Sequence, residues 1–258
     1  MTDDTARIPI DVATEPAPAA RPRSAAPGGA GGGRSDLPGP FTRAQLEAEE
    51  QTIKDAILRM GSRVAEQVVA AISALERHDA DGAMTVITSD ETLNRDQSEI
   101  SLLVSRTIAL QQPVARDLRF LLTLDHVAYD LERMGDHAAS VAKQARKLAP
   151  YAPLRDYVHL PEMGRLVAQQ VRDILTAVVD IDDERARAVA ARDDDVDDLY
   201  HRIFSETLDL MRADPANVDP GARVLFAAHY LERIGDRVTN IAEDVVFLAT
   251  GETEDLNP

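Results

Sequence analysis

The chain has 258 residues, with 28 basic against 45 acidic side chains, a net charge of −17, no cysteine and no tryptophan. That balance repels nucleic-acid phosphates and anionic lipid headgroups, which argues against nucleic-acid or direct membrane binding. The missing thiols exclude disulfides, thiolate metal sites and cysteine nucleophiles.

Residues 1–40 hold 7 of the 14 prolines and 6 of the 13 glycines, including Gly28-Gly29-Ala30-Gly31-Gly32-Gly33. So little apolar surface cannot offset chain entropy, and a disordered tail is expected there. After Pro40, proline is absent until Pro113, then from Val114 to Ala149, from Glu162 to Asp214 and from Gly221 to Asn257. Proline inside a helix costs about 3 kcal/mol, so these silences permit long helices. Ile53, Ile57, Met60, Val64, Val68, Ala71 and Leu75 step by three and four and predict a first helix. A second is expected to start near Asp79-Ala80-Asp81, where polar residues can cap its first turn, and to run through Val86, Leu93, Ile100, Val104 and Ile108 to Gln112. A third follows Pro113 and ends near Pro150.

The second half repeats this plan. One helix is expected from about Pro161, placed at a helix start where its fixed φ fits, to Ile181. Another spans about Asp183 to Ala213, ending at Asp214-Pro215. The last runs from about Pro220 to Thr250, with Gly251 as C-cap. Only 4% of residues are aromatic and no alternation is sustained, so strands are not expected. The predicted fold is all-α: two tandem three-helix bundles at residues 41–150 and 151–258, behind the 1–40 tail. No apolar run approaches the roughly 18–20 residues of a membrane span. The acidic Met1-Thr2-Asp3-Asp4 start lacks the apolar core of an export signal, so a soluble cytoplasmic setting is expected.

The duplication is visible residue by residue. In the last helix Val224, Ala228, Leu231, Gly235, Val238, Ala242, Val245 and Ala249 form a stripe. One hundred residues earlier stand Leu124, Ala128, Leu131, Gly135, Ala138, Ala142, Ala145 and Ala149. The middle helices align at an offset of 103, with Val86, Asp90, Leu93, Asn94 and Ile100 against Val189, Asp193, Val196, Asp197 and Ile203.

Within this repeat, Asp130-Leu131-Glu132-Arg133-Met134-Gly135-Asp136 matches Tyr230-Leu231-Glu232-Arg233-Ile234-Gly235-Asp236. Glu132 and Asp136, like Glu232 and Asp236, are i and i+4 on one helix face, where like charges repel. A cation, an arginine or water should compensate. Glycine costs about 0.8–1 kcal/mol at a helix interior but admits a close neighbour. Asp193 and Asp197 on the preceding helix, and Asp90 with Asn94 in the first half, would face these pairs if the helices pack antiparallel. Such all-oxygen donors suit Mg²⁺, Mn²⁺, Ca²⁺ or iron, and Asn240 can add an amide oxygen. The bland alternative pairs the acids with Arg133 and Arg233, or leaves them in water. His137 reads as a surface histidine, and His126, His201 and His229 as single residues that pack or face water. Positions 194, 195 and 198 of the aspartate run read as a solvated face. After the break at Pro113, Asp117 can favour the positive helix end and Arg119 can pair with acids.

The two ERxGD motifs, the QPxAxDLR turn at Gln112–Arg119, the tandem plan and the ending Asn240-Ile241-Ala242-Glu243…Thr250-Gly251-Glu252 resemble the PhoU family over about residues 41–252. The resemblance implies two three-helix bundles with pseudo-twofold symmetry. It also implies metal binding at E(D)xxxD motifs, with iron, Mn, Mg, Zn or Ni as the divalent or trivalent ion. Carried over, the ligands are Glu232, Asp236, Asp193, Asp197 and Asn240 in the second half and Glu132, Asp136 and Asp90 in the first. Asn94 and Ser140 stand where Asp197 and Asn240 have their counterparts, so weaker or no metal is expected in the first half. The family's function is restraint of the phosphate-starvation response. It couples the ATPase subunit of the phosphate ABC transporter to a sensor histidine kinase, by contact and without turnover, and family members suggest a homodimer. Two alternatives stand beside this. A di-metal helical-bundle enzyme generally needs Glu-x-x-His motifs, which this chain lacks. A metal-free interaction scaffold needs nothing more than the fold.

Overall fold

The computed structural model describes residues 42–152, 154 and 159–256; the expected tail at 1–40 lies outside them. Seven helices follow in order: α1 Arg43–Glu76, α2 Ala80–Gln111, α3 Ala115–Leu148, α4 His159–Asp180, α5 Asp183–Ala190, α6 Asp193–Ala213 and α7 Val218–Thr250. A 3-10 turn, Pro215–Asn217, leads into α7. Among the described residues there is no strand, and no helix is long and apolar enough to cross a membrane.

A polar residue of the 79–81 stretch and Gly251 cap helices as expected, and α1 has a cap the sequence reading did not include. Asp79 accepts a hydrogen bond from Gly82 N–H at the start of α2. Thr42 and Gln45 close a reciprocal capping box on α1. Gly251 ends α7 at φ 82°, its N–H donating to the Phe247 carbonyl at 2.8 Å. The one expected helix over 183–213 is two. Arg192 N–H donates to Val189 only three residues back, and α6 starts afresh at Asp193. Neither proline nor glycine causes this break. Asp193, Asp194 and Asp195 occupy the new first turn, where the positive end of the helix dipole stabilises acids.

The core follows the sequence stripes. All seven apolar positions named in α1 are buried, as are the first seven of each heptad stripe in α3 and α7. The described residues form one compact unit. Helices α1, α2 and α3 pack on one another, α4, α5 and α6 pack around α7, and the halves meet through α1 against α4 and α3 against α7. The α1–α4 contact shows the twofold directly. A Cβ on Gly61 would collide with Leu175, and one on Gly164 would lie 2.5 Å from Ile72 Cγ1. These are the same pair seen from each side, since 61 and 164, like 72 and 175, are 103 apart. The pairing also makes α1 and α4 antiparallel.

Candidate metal clusters and family membership

Antiparallel packing of α6 on α7 brings the second-half acids together. Asp193, the first residue of α6, is 7% exposed, and its Oδ1 would lie 2.9 Å from a Cβ on Gly235. The glycine of the motif therefore makes room for a carboxylate from the neighbouring helix. Burial is the largest influence on that carboxyl, and Asp197, Asp236, Glu232 and Asp194 all act in the same direction, pushing it up to about 6. Burial also raises Glu232 and Asp236, each helped by nearby acids. In the first half, burial and then Asp136 raise both Asp90 and Glu132. Gly135 there takes in Leu93, which a Cβ would strike. Val196, the shorter counterpart of Leu93, leaves the place over Gly235 to Asp193.

Each motif also supplies its own cation. Arg133 Nη1 lies 3.0 Å from Asp136, with its Nε 3.4 Å from Glu132, and Arg233 Nη1 lies 2.9 Å from Asp236. His229 Nδ1 lies 3.0 Å from Glu232 Oε2. The compensating arginine is thus present, and it covers one side of each acidic pair. Asn240 lines a cavity of about 760 Å³ with Arg233, Asp236, Arg237 and Glu243. It sits beside Asp236, toward the C-terminal end of α7, whereas the four acids gather at the α6 end. Asn94 is exposed, while its counterpart Asp197 is half-buried. Asp194, Asp195 and Asp198 are exposed, as the solvated-face reading expects.

The two clusters can bind a cation on chemical grounds. They offer carboxylate oxygens, of which burial and nearby acids raise Asp193, Glu232 and Asp236 in one and Asp90 and Glu132 in the other, and a divalent or trivalent ion would relieve both influences. Among the described residues, however, the one His/Asp/Glu set whose ligand atoms all lie within 4.8 Å of one another is elsewhere: His126, Asp130 and Asp244. Histidine positions differ from the sequence reading in three places, the His229 pairing with Glu232 being one. His137 is half-buried and stacks on Tyr230 with ring centroids 6.0 Å apart; burial, then Arg233 and Arg237, holds it down at about 4. His126 is exposed but pairs with Asp244 on α7, 118 residues away. Asp117 pairs with Arg43, and Arg119 lies over the Phe247 ring at 5.3 Å.

The PhoU domain model matches this chain twice, at residues 57–145 and 160–245. The chain belongs to the PhoU family. The two matches fall on α1–α3 and α4–α7, the halves of the duplication. A relative from Clostridium acetobutylicum, the phosphate-specific transport system accessory protein PhoU homolog, is 40% identical over 218 residues, covering 84% of this chain and all of that protein. One from Caulobacter vibrioides with the same description is 40% identical over 197 residues, 76% of this chain and 86% of its own length. The crystal structure of PhoU from Pseudomonas aeruginosa superposes with a TM-score of 0.77 at 33% identity, covering 81% of this chain and all of that one. The phosphate transport system regulatory protein PhoU from Streptococcus pneumoniae gives 0.77 at 32%, covering 82% and 100%.

Proposed function

We propose that this PhoU-family chain is a cytoplasmic accessory protein of a phosphate-specific transport system. It restrains the phosphate-starvation response by contacting the transporter's ATPase subunit and a sensor histidine kinase. The observation that carries this reading is the full-length match to relatives described as accessory proteins of that system. The role is that of an adaptor and not of an enzyme, in keeping with relatives described as accessory or regulatory. A homodimer is part of the proposal.

In the same reading, Asp193, Asp197, Glu232 and Asp236, with Asn240 beside them, hold a divalent or trivalent ion. Asp90, Glu132 and Asp136 offer a poorer second site. The bound ion would supply positive charge that joins α6 to α7, and α2 to α3. The protein's own part is to hold the acids: Gly235 admits Asp193, and Arg233 fixes the Asp236 rotamer. Affinity capture tests the adaptor role. The tagged chain, in extract from phosphate-replete cells, is expected to retain the transporter ATPase and the sensor kinase. Failure to retain either one removes the coupling role.

A further inference from the structure

A second donor set lies where α3 packs on α7; its Asp130 opens the first motif, two residues before Glu132, but faces α7 and its Arg237. His126 Nδ1 is 2.5 Å from Asp244 Oδ2, and one ligand atom from each of His126, Asp130 and Asp244 lies within 4.8 Å of the other two. Asp130 is fully buried. Its Oδ1 accepts a hydrogen bond from Arg237 Nη1 at 3.0 Å, but its Oδ2 is buried without a hydrogen-bond partner, and so is Arg237 Nε. A buried carboxylate with lone pairs unused is rare, because desolvation is then uncompensated.

The internal repeat says that this set is not inherited packing. At the offset of 100, Phe226 stands opposite His126, Tyr230 opposite Asp130 and Gln144 opposite Asp244. All three donors therefore occupy positions where the two copies part, although the apolar stripes beside them are kept. The twofold mate of the Asp130–Arg237 contact is the Tyr230–His137 stack, which holds no charge-to-charge bond. One side of the seam is aromatic and the other is built of ligands.

The geometry points to a binding site for a first-row divalent cation such as Zn²⁺ or Co²⁺, held by His126, Asp130 and Asp244 and tying the two repeats together. One imidazole nitrogen with two carboxylate oxygens suits these borderline ions better than Mg²⁺ or Ca²⁺, which take oxygen donors. Three protein donors leave a position for water. The His126 side chain is 54% exposed, so its ring can turn to open the short contact with Asp244. Arg237 stays on Oδ1 and leaves Oδ2 for the ion. This site is separate in place and in donor chemistry from the all-oxygen clusters proposed above, and it stands or falls without them.

The test is a Zn²⁺ titration of the full chain in a large excess of Mg²⁺, which occupies all-oxygen sites. It is followed in long-range ¹⁵N–¹H histidine spectra, with His126 assigned by its loss in His126→Gln. The His126 ring resonances are expected to move to completion at one equivalent, and Asp244→Asn to weaken that binding about tenfold or more. If Asp244→Asn fails to fold, His126→Gln decides, since position 126 is exposed: it is expected to take up one equivalent less. The proposal is overturned if the His126 resonances stay in place while Zn²⁺ binds elsewhere, or if either folded variant binds as the unaltered chain does. The four side chains would then be an ion-pair chain only.

Discussion

Asp193 begins α6 and is 7% exposed, and its carboxyl is held at about 6 by burial and by four acidic neighbours. In the unfolded chain the same group has the ordinary aspartate value near 3.9. Between about pH 4 and 6 the folded state keeps a proton that the unfolded state has released, so stability falls as pH rises through that window and stays lower above it. The whole effect is about 3 kcal/mol at neutral pH, at roughly 1.4 kcal/mol per tenfold change in proton affinity. Asp193→Asn, in chelator, is therefore expected to raise the Tm at pH 7.5 by several degrees, about 2–4 °C per kcal/mol for a chain of this size, and to change it little at pH 4. Thermal unfolding followed by circular dichroism at both pH values checks this; equal shifts at the two would contradict it. The i, i+4 acids and the glycine between them were readable at once from the sequence. That Asp193 lies over Gly235, and that Leu93 fills the same place in the other half, depends on the difference between valine and leucine at the facing position. The short pattern carries no sign of that.

At the scale of helices, proline silences and apolar stripes were enough to place the ends of α2, α3, α4 and α7 within a few residues. A stripe records which face is buried, and seven consecutive buried positions on α1 leave little freedom. The break between α5 and α6 was invisible for a physical reason. Ala190-Ala191-Arg192 are good helix formers, and the only signal is the preference of three aspartates for a first turn. The antiparallel seams between the halves were equally hidden. His126 and Asp244 are 118 residues apart, and only the mismatch of the two repeats at 126, 130 and 144 marks the place. At the α1–α4 seam the glycine interlock makes a measurable claim. Gly61→Ala gains about 1 kcal/mol of helix propensity but drives a methyl into Leu175, and overpacking costs about 1–3 kcal/mol. Leu175→Ala alone leaves a cavity that costs about 2–5 kcal/mol. In the double variant the new methyl enters the space that the leucine leaves, so the two losses should fall short of their sum by about 0.5–3 kcal/mol. Urea unfolding of the four proteins gives the coupling. Strict additivity would mean that the two residues do not meet, and the same cycle on Gly164 and Ile72 should give the same sign.

The whole molecule is a duplication whose halves have diverged in charge while keeping one packing plan. Its α1–α4 contact is symmetric down to the glycine and the aliphatic side chain that fills it. Its α3–α7 contact is aromatic on one side and ionic on the other. The acidic clusters are unequal in the same way. Four carboxylates lie near one another in the second half, where Asp193 is buried and burial, Asp197, Asp236, Glu232 and Asp194 all oppose its charge. Three lie near one another in the first, where Asn94 is exposed in place of the fourth acid and Lys143 partly offsets Asp90. A cation gains more where more uncompensated charge is already desolvated, because the repulsion it relieves is part of its binding energy. If the proposed clusters bind metal, the second should therefore hold most of it. Replacing Asp193, Asp197, Glu232 and Asp236 by alanine is expected to remove more metal than replacing Asp90, Glu132 and Asp136, when each protein is purified without chelator and its metal content measured by elemental analysis. Folding of both variants is checked by helical circular dichroism, and the second-half variant should if anything gain thermal stability in chelator, since it loses the greater repulsion. Equal metal losses would show that the missing acid at position 94 is immaterial, and that the ion is held by the two ERxGD helices without their partners.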